Sequence, residues 1–160
     1  MGCGRMTDRL TESMLDPLVS MFLKKYASQF YKVLNTRDIR KVVQWLERKY
    51  REIIAPFVKE HPWLALLAED QAGQKTGELL GNYIVEKYEA CSPEKKVAWN
   101  SSRWLHHGAV GELIVIRETR KHRPFLVGLG RGLMISDLHD QSEWHTPEYM
   151  KAKKTLEEMR

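Results

Sequence analysis

Glu112-Leu113-Ile114-Val115-Ile116-Arg117-Glu118-Thr119-Arg120-Lys121-His122-Arg123-Pro124-Phe125-Leu126-Val127 is the stretch on which the fold class turns. Its apolar runs, 112–117 and 124–127, are rich in residues that favour strands. The polar run between them carries Arg120, Lys121 and Arg123. The pattern predicts a two-stranded β-hairpin near residues 112–127 with a basic tip. Everything around it reads as helix. The expected class is therefore α+β: about five helices and one hairpin, closed by a C-terminal helix, in a single domain over residues 1–160.

Immediately before the hairpin, Ser92-Pro93-Glu94 combines a serine cap, a proline in the first turn and an early acid, a strong helix start. That helix is expected to run to His106 or His107 and stop at Gly108. A longer one precedes it, from Trp63 to Tyr88, with Gly73, Gly77 and Gly81 four residues apart. Each glycine inside a helix costs about 1 kcal/mol relative to alanine. Close approach of another backbone is the physical reason to keep three on one face, either inside the fold or across a homodimer. Gln71, Gln74, Lys75 and Glu78 set the stripe apart from a membrane dimerisation face.

Further back, Thr36 is placed to cap an amphipathic helix from Arg37 to Ala55. Ile39, Val42, Val43, Leu46, Tyr50, Ile53 and Ile54 form its buried stripe. Arg37, Arg40, Lys41, Gln44, Arg48 and Arg51 line the opposite face, with Glu47 and Glu52 as partial neutralisers. Such a face is expected to be solvated. Before it, Asp16-Pro17 breaks a first helical segment, after which Leu18, Phe22, Tyr26 and Phe30 share one side. Beyond the hairpin, Gly128, Gly130 and Gly132 read as bulges or a strand end, without the Lys-Ser/Thr finish of a phosphate loop. Thr146-Pro147-Glu148 then caps the C-terminal helix.

Charge sharpens the partner question. The net charge is +5, and it is unevenly placed: residues 1–60 carry 12 basic against 7 acidic residues, and residues 93–132 carry 8 against 3. The intervening segment and the C-terminus are net acidic. Two basic blocks point to an anionic partner. No run of apolar residues is long enough for a membrane span. Two cysteines, Cys3 and Cys91, are too few for a disulfide framework, so a cytoplasmic setting is expected. Gly2-Cys3 lacks the Ser or Thr that an acylation signal wants at position six, where Met6 stands.

For chemistry the chain offers few groupings. No serine sits in a nucleophile elbow, and Cys91 has no assignable histidine partner, so no catalytic residue is nominated. Adjacent His106 and His107 would point about 100° apart on a helix. Asp137, His139, Asp140, Glu143 and His145 follow no zinc or iron spacing and read as a polar loop. No metal and no cofactor is therefore expected.

The order of a capped helix, then Trp104-Leu105-His106-His107-Gly108-Ala109-Val110, then a hairpin with a basic tip, resembles winged-helix DNA-binding domains over residues 76–127. That resemblance implies Lys95, Lys96, Asn100 and Arg103 on a recognition helix and Arg120, Lys121 and Arg123 on the wing. It implies a non-enzymatic nucleic-acid-binding protein, of the kind that serves transcription regulators. Gly73-Gln74-Lys75-Thr76-Gly77, Ser92-Pro93-Glu94 and Gly108-Ala109-Val110-Gly111-Glu112-Leu113 also resemble the glycine-punctuated order of vinyl-reductase-type ligand-binding domains over residues 73–127. That family implies an apolar cavity near Trp99, Trp104 and Phe125, although its cysteine-bearing C-terminal part has no counterpart here. A duplex-binding surface needs the two basic blocks to meet; a ligand module needs the cavity.

Overall fold

A computed structural model describes residues 17, 20–36, 38–60, 69–100 and 106–158, and among them every regular element is helical. Helix α1 covers residues 20–34. It is followed by α2 (Ile39–Lys49), a π-helical turn (Tyr50–Ile54) and α3 (Ala55–Glu60). Then come α4 (Glu69–Glu89), α5 (Pro93–Asn100), α6 (His107–Arg120), α7 (Pro124–Ile135), the single turn α8 (Gln141–Trp144) and α9 (Pro147–Glu158). The expected α+β class is thus corrected to all-α among the described residues.

The hairpin of residues 112–127 does not exist; its two arms are the end of α6 and the start of α7. Strand propensity in Ile114, Val115 and Ile116 is a weak preference that packing overrides. Val110, Leu113 and Ile114 bury one stripe of α6, with Glu118 a turn further on. Phe125, Leu126, Leu129 and Leu133 do the same for α7. Both stripes follow the helical period. The supposed tip is the α6–α7 turn, where His122 takes a left-handed backbone (φ 53°). That conformation lets the amide of Arg123 donate to the carbonyl of Glu118 (3.2 Å), closing the end of α6 and reversing the chain. Pro124 opens α7, where a missing N–H costs nothing.

Other boundaries moved less. Asp38, not Thr36, caps α2, accepting from the amide of Arg40 at 3.0 Å. Pro56 lies inside helical structure, just after the π-turn in which the amide of Ala55 reaches Tyr50. The wider turn relieves the clash a proline ring makes with the preceding turn's carbonyl. Gly108 does not stop a helix but sits in the first turn of α6, and Gly128, Gly130 and Gly132 lie within α7. The C-terminal helix begins as its sequence says, with Thr146 Oγ1 accepting from the amide of Tyr149 at 3.2 Å. No helix among the described residues is long and apolar enough to cross a membrane.

Two packing units make the core. In one, Trp45 of α2 is enclosed by Phe22, Tyr26 and Phe30 of α1, with ring centroids 5.5–6.2 Å away. In the other, α4 crosses α7 along its glycines. A Cβ at Gly73 would overlap the carbonyl oxygen of Phe125, and one at Gly77 that of Leu129. The reciprocal glycines on α7, Gly128 and Gly132, face the backbone of α4 at Asp70 and Gln74. Of the two explanations for the stripe, the crossing inside the fold is the one seen; the face meets α7 of the same chain. Helix α6 packs on the other side of α7.

Helix α9 is tied back to α6 by Arg120, whose guanidinium donates to the carbonyl oxygens of Leu156 and of Glu157, the latter at 2.8 Å. These are carbonyls that a helix C-terminus leaves without internal partners. Arg120→Ala is expected to destabilise the protein by about 1–2 kcal/mol, since hydrogen bonds from a charged donor carry more than neutral ones. Urea denaturation followed by circular dichroism measures this, and an unchanged midpoint would remove Arg120 from the anchor.

Candidate functional site

The exposed side of α2 carries Arg40, Lys41, Gln44 and Arg48, with Arg51 following in the π-turn. On a helix these positions fall within an arc of about 100°, because they repeat near the helical period. Beside them the end of α6 and the turn into α7 bring Arg117, Lys121 and Arg123. The hinge is Glu47: its Oε1 lies 3.1 Å from Arg117, 3.0 Å from Lys121 and 3.1 Å from Arg123. Burial raises the Glu47 pKa, but the Lys121 hydrogen bond and the three cations outweigh it and hold the carboxyl below its usual value. Beneath lies Glu118, with its side chain 1% exposed, 3.4 Å from Arg117 and 3.7 Å from Arg123. Burial dominates there and pushes the Glu118 pKa up, against the pull of the same cations. Two basic segments far apart in sequence thus meet at Glu47, on the edge of α2 that carries Arg40 and Arg51; Arg48 and Lys41 lie about 100–120° further around the helix. A groove of about 650 Å³ runs along its edge between α2 and α9, with Arg40, Arg117 and Lys151 but also Asp38 and Glu148 in its walls.

The residues assigned by the winged-helix resemblance do not gather. Arg120 is committed to the end of α9, while Lys121 and Arg123 are held by Glu47. Lys95 is exposed on α5, and Lys96 lies 3.8 Å from Glu89 with its ammonium over the Tyr88 ring. Asn100 donates to the Tyr88 hydroxyl (3.1 Å) and lies 3.1 Å from His139. Arg103 lies outside the described residues. Phe125 packs at Gly73 whereas Lys96 pairs at Glu89, and the intervening length of α4 is about 24 Å. The two groups therefore sit at opposite ends of α4. In the sequence Arg40, Lys41, Arg48 and Arg51 read as a solvated face, and nothing there marks Glu47 as the junction, since its three partners come from residues 117–123.

Among the described residues, the two aromatic side chains named for a ligand pocket are packed against other rings. Trp99 packs against the rings of Tyr31 (5.7 Å) and Tyr88 (5.5 Å), and Phe125 against Tyr50 (6.0 Å). The cavity beside Trp99 measures about 10 Å³, room for one water-sized particle rather than a hydrophobic ligand. Trp104 lies outside the described residues. Comparison with known protein families, curated proteins and solved structures returns no match.

Proposed function

We propose that this chain binds nucleic acid through the face formed by α2 and the α6–α7 turn, by phosphate contacts rather than by catalysis. The observation that supports the reading is the meeting of the two basic segments on one exposed surface around Glu47. Arg40, Lys41, Arg48 and Arg51 supply the phosphate contacts. The turn residues widen the positive field while remaining tethered. Contacts of this kind carry affinity without reading sequence.

Fluorescence anisotropy with labelled duplex DNA, single-stranded DNA and RNA across a salt series tests it. Binding is expected to weaken steeply with salt, and Arg48→Ala is expected to flatten the log–log slope by about 0.9, the equivalent of one phosphate contact. Absence of binding to all three polymers at low salt would sink the reading. The comparison among them identifies the polymer.

A further inference from the structure

At the far end of α4 a second cluster takes no part in the basic face. His106, which caps α6, and Asp137 and His139, in the link between α7 and α8, each offer a ligand atom within 4.8 Å of the other two. The imidazole rings of His106 and His139 stand edge to face with centroids 4.2 Å apart. Asp137 is fixed in place, accepting from the amides of Gly108 through Oδ2 and of His139 through Oδ1, each at 2.7 Å. Gly108 makes this possible, because a Cβ there would come within 2.6 Å of Asp137 Oδ2. His139 Nδ1 lies 3.1 Å from Asp137 Oδ1.

His106 is the odd member. It is 4% exposed, yet its Nδ1 has no hydrogen-bond partner among the described residues. A buried polar atom left in that state costs about 1–3 kcal/mol, so something normally satisfies it. The 10 Å³ cavity described above opens directly onto the rings of His106 and His139. It has room for a single ion or water.

We propose that His106, Asp137 and His139 form a binding site for a divalent transition-metal ion, held by two imidazole nitrogens and one carboxylate oxygen. Mixed nitrogen and oxygen donors suit zinc, iron(II) or cobalt(II), whereas magnesium and calcium take oxygen sets. An imidazole binds a metal ion in its neutral form, through the lone pair of a ring nitrogen. A tetrahedral ion with ordinary bond lengths sets its donors about 3.4 Å apart, a spacing inside the 4.8 Å within which the three ligand atoms lie. Around the trio stand groups of the sort that orient ligands. The Gly108 amide aims Asp137, and His107 Nε2 lies 3.1 Å from Ser136 Oγ with Nδ1 4.0 Å from Asp137. Three protein donors leave a coordination position for water.

The test uses the full chain, stripped with chelator and dialysed, then titrated with zinc(II) by calorimetry and with cobalt(II) by visible absorption. One equivalent of zinc is expected, with d–d bands from cobalt(II) that zinc then bleaches. His139→Ala and His106→Gln are each expected to weaken binding at least about tenfold. Cys91→Ser is expected to leave it unchanged. Circular dichroism establishes that each variant is folded, and the half-buried His139 keeps the test open should the His106 variant fail to fold. No bound equivalent in the folded wild type, undiminished binding in the His139 variant, or binding abolished by Cys91→Ser would each overturn the site.

Discussion

Gly77→Ala is expected to destabilise the protein by about 3 kcal/mol, and the double variant Gly73→Ala/Gly77→Ala is expected not to fold. In an exposed helix the same change would stabilise by about 1 kcal/mol, since alanine is the better helix former. Here the added methyl meets the carbonyl oxygen of Leu129, and at Gly73 that of Phe125. A side chain in that position could rotate aside, but a helix backbone cannot without moving the whole element. Overpacking of a close-packed contact costs about 1–3 kcal/mol, more when the neighbour is rigid. The shift needed would also spread α7 from α4, loosening Leu80, Leu129 and Leu133, all fully buried. Total stabilities of single domains are about 5–15 kcal/mol, so two such insertions remove much of the reserve. Chemical denaturation of Gly77→Ala decides the matter by sign: a gain in stability would mean that the helices do not cross at the glycines.

That crossing was half legible. The four-residue spacing of Gly73, Gly77 and Gly81 announces a bare helix face, and physics demands a backbone against it. What the spacing does not contain is the partner. Gly128 and Gly132 repeat the same interval in a segment read as strand and bulge, and two glycine stripes of equal period are the signal that could have joined them. Two signals conflict here: the β-branched residues at 114–116 favour a strand, while Val110, Leu113 and Ile114 repeat at helical spacing, and packing follows the second. The polar Glu118 then interrupted the apolar stripe just where a further turn would have confirmed it. The reversal at His122 was hidden for another reason: a histidine in a left-handed turn carries none of the signature of glycine or asparagine. At the basic face, α2 was readable residue by residue, but its junction with 117–123 is a tertiary contact. The same holds for the histidines: His106 stands some thirty positions before Asp137 and His139 in the sequence, and only the fold sets the three side by side.

Removing four cations from α2 is expected to have the largest effect on binding, and it should be opposed in sign by a single neutralisation next to them. With Arg40, Lys41, Arg48 and Arg51 all changed to alanine, four phosphate contacts are lost. At 0.1 M salt each contributes a little under a factor of ten, so affinity for a polyanion should fall by about three and a half orders of magnitude and the log–log salt slope by about 3.6. These side chains lie on the exposed face, so the midpoint of thermal unfolding should stay nearly unchanged. Glu47→Gln should do the reverse in both respects. It releases Arg117, Lys121 and Arg123 from a shared carboxylate, so polyanion binding should tighten several-fold and its salt dependence steepen. Stability should drop by about 1 kcal/mol, because the three ion pairs are partly exposed and solvent screens them. The pH dependence carries its own signature. Glu47 has a depressed pKa in the folded state, so its contribution is present at neutral pH and disappears as pH falls through that lowered value. Stability of the wild type and of Glu47→Gln should therefore converge in acid. If Glu47→Gln weakened polyanion binding along with stability, the carboxylate would be organising the cations for binding rather than restraining them. If the fourfold variant bound as tightly as the wild type, α2 would not be the surface at all.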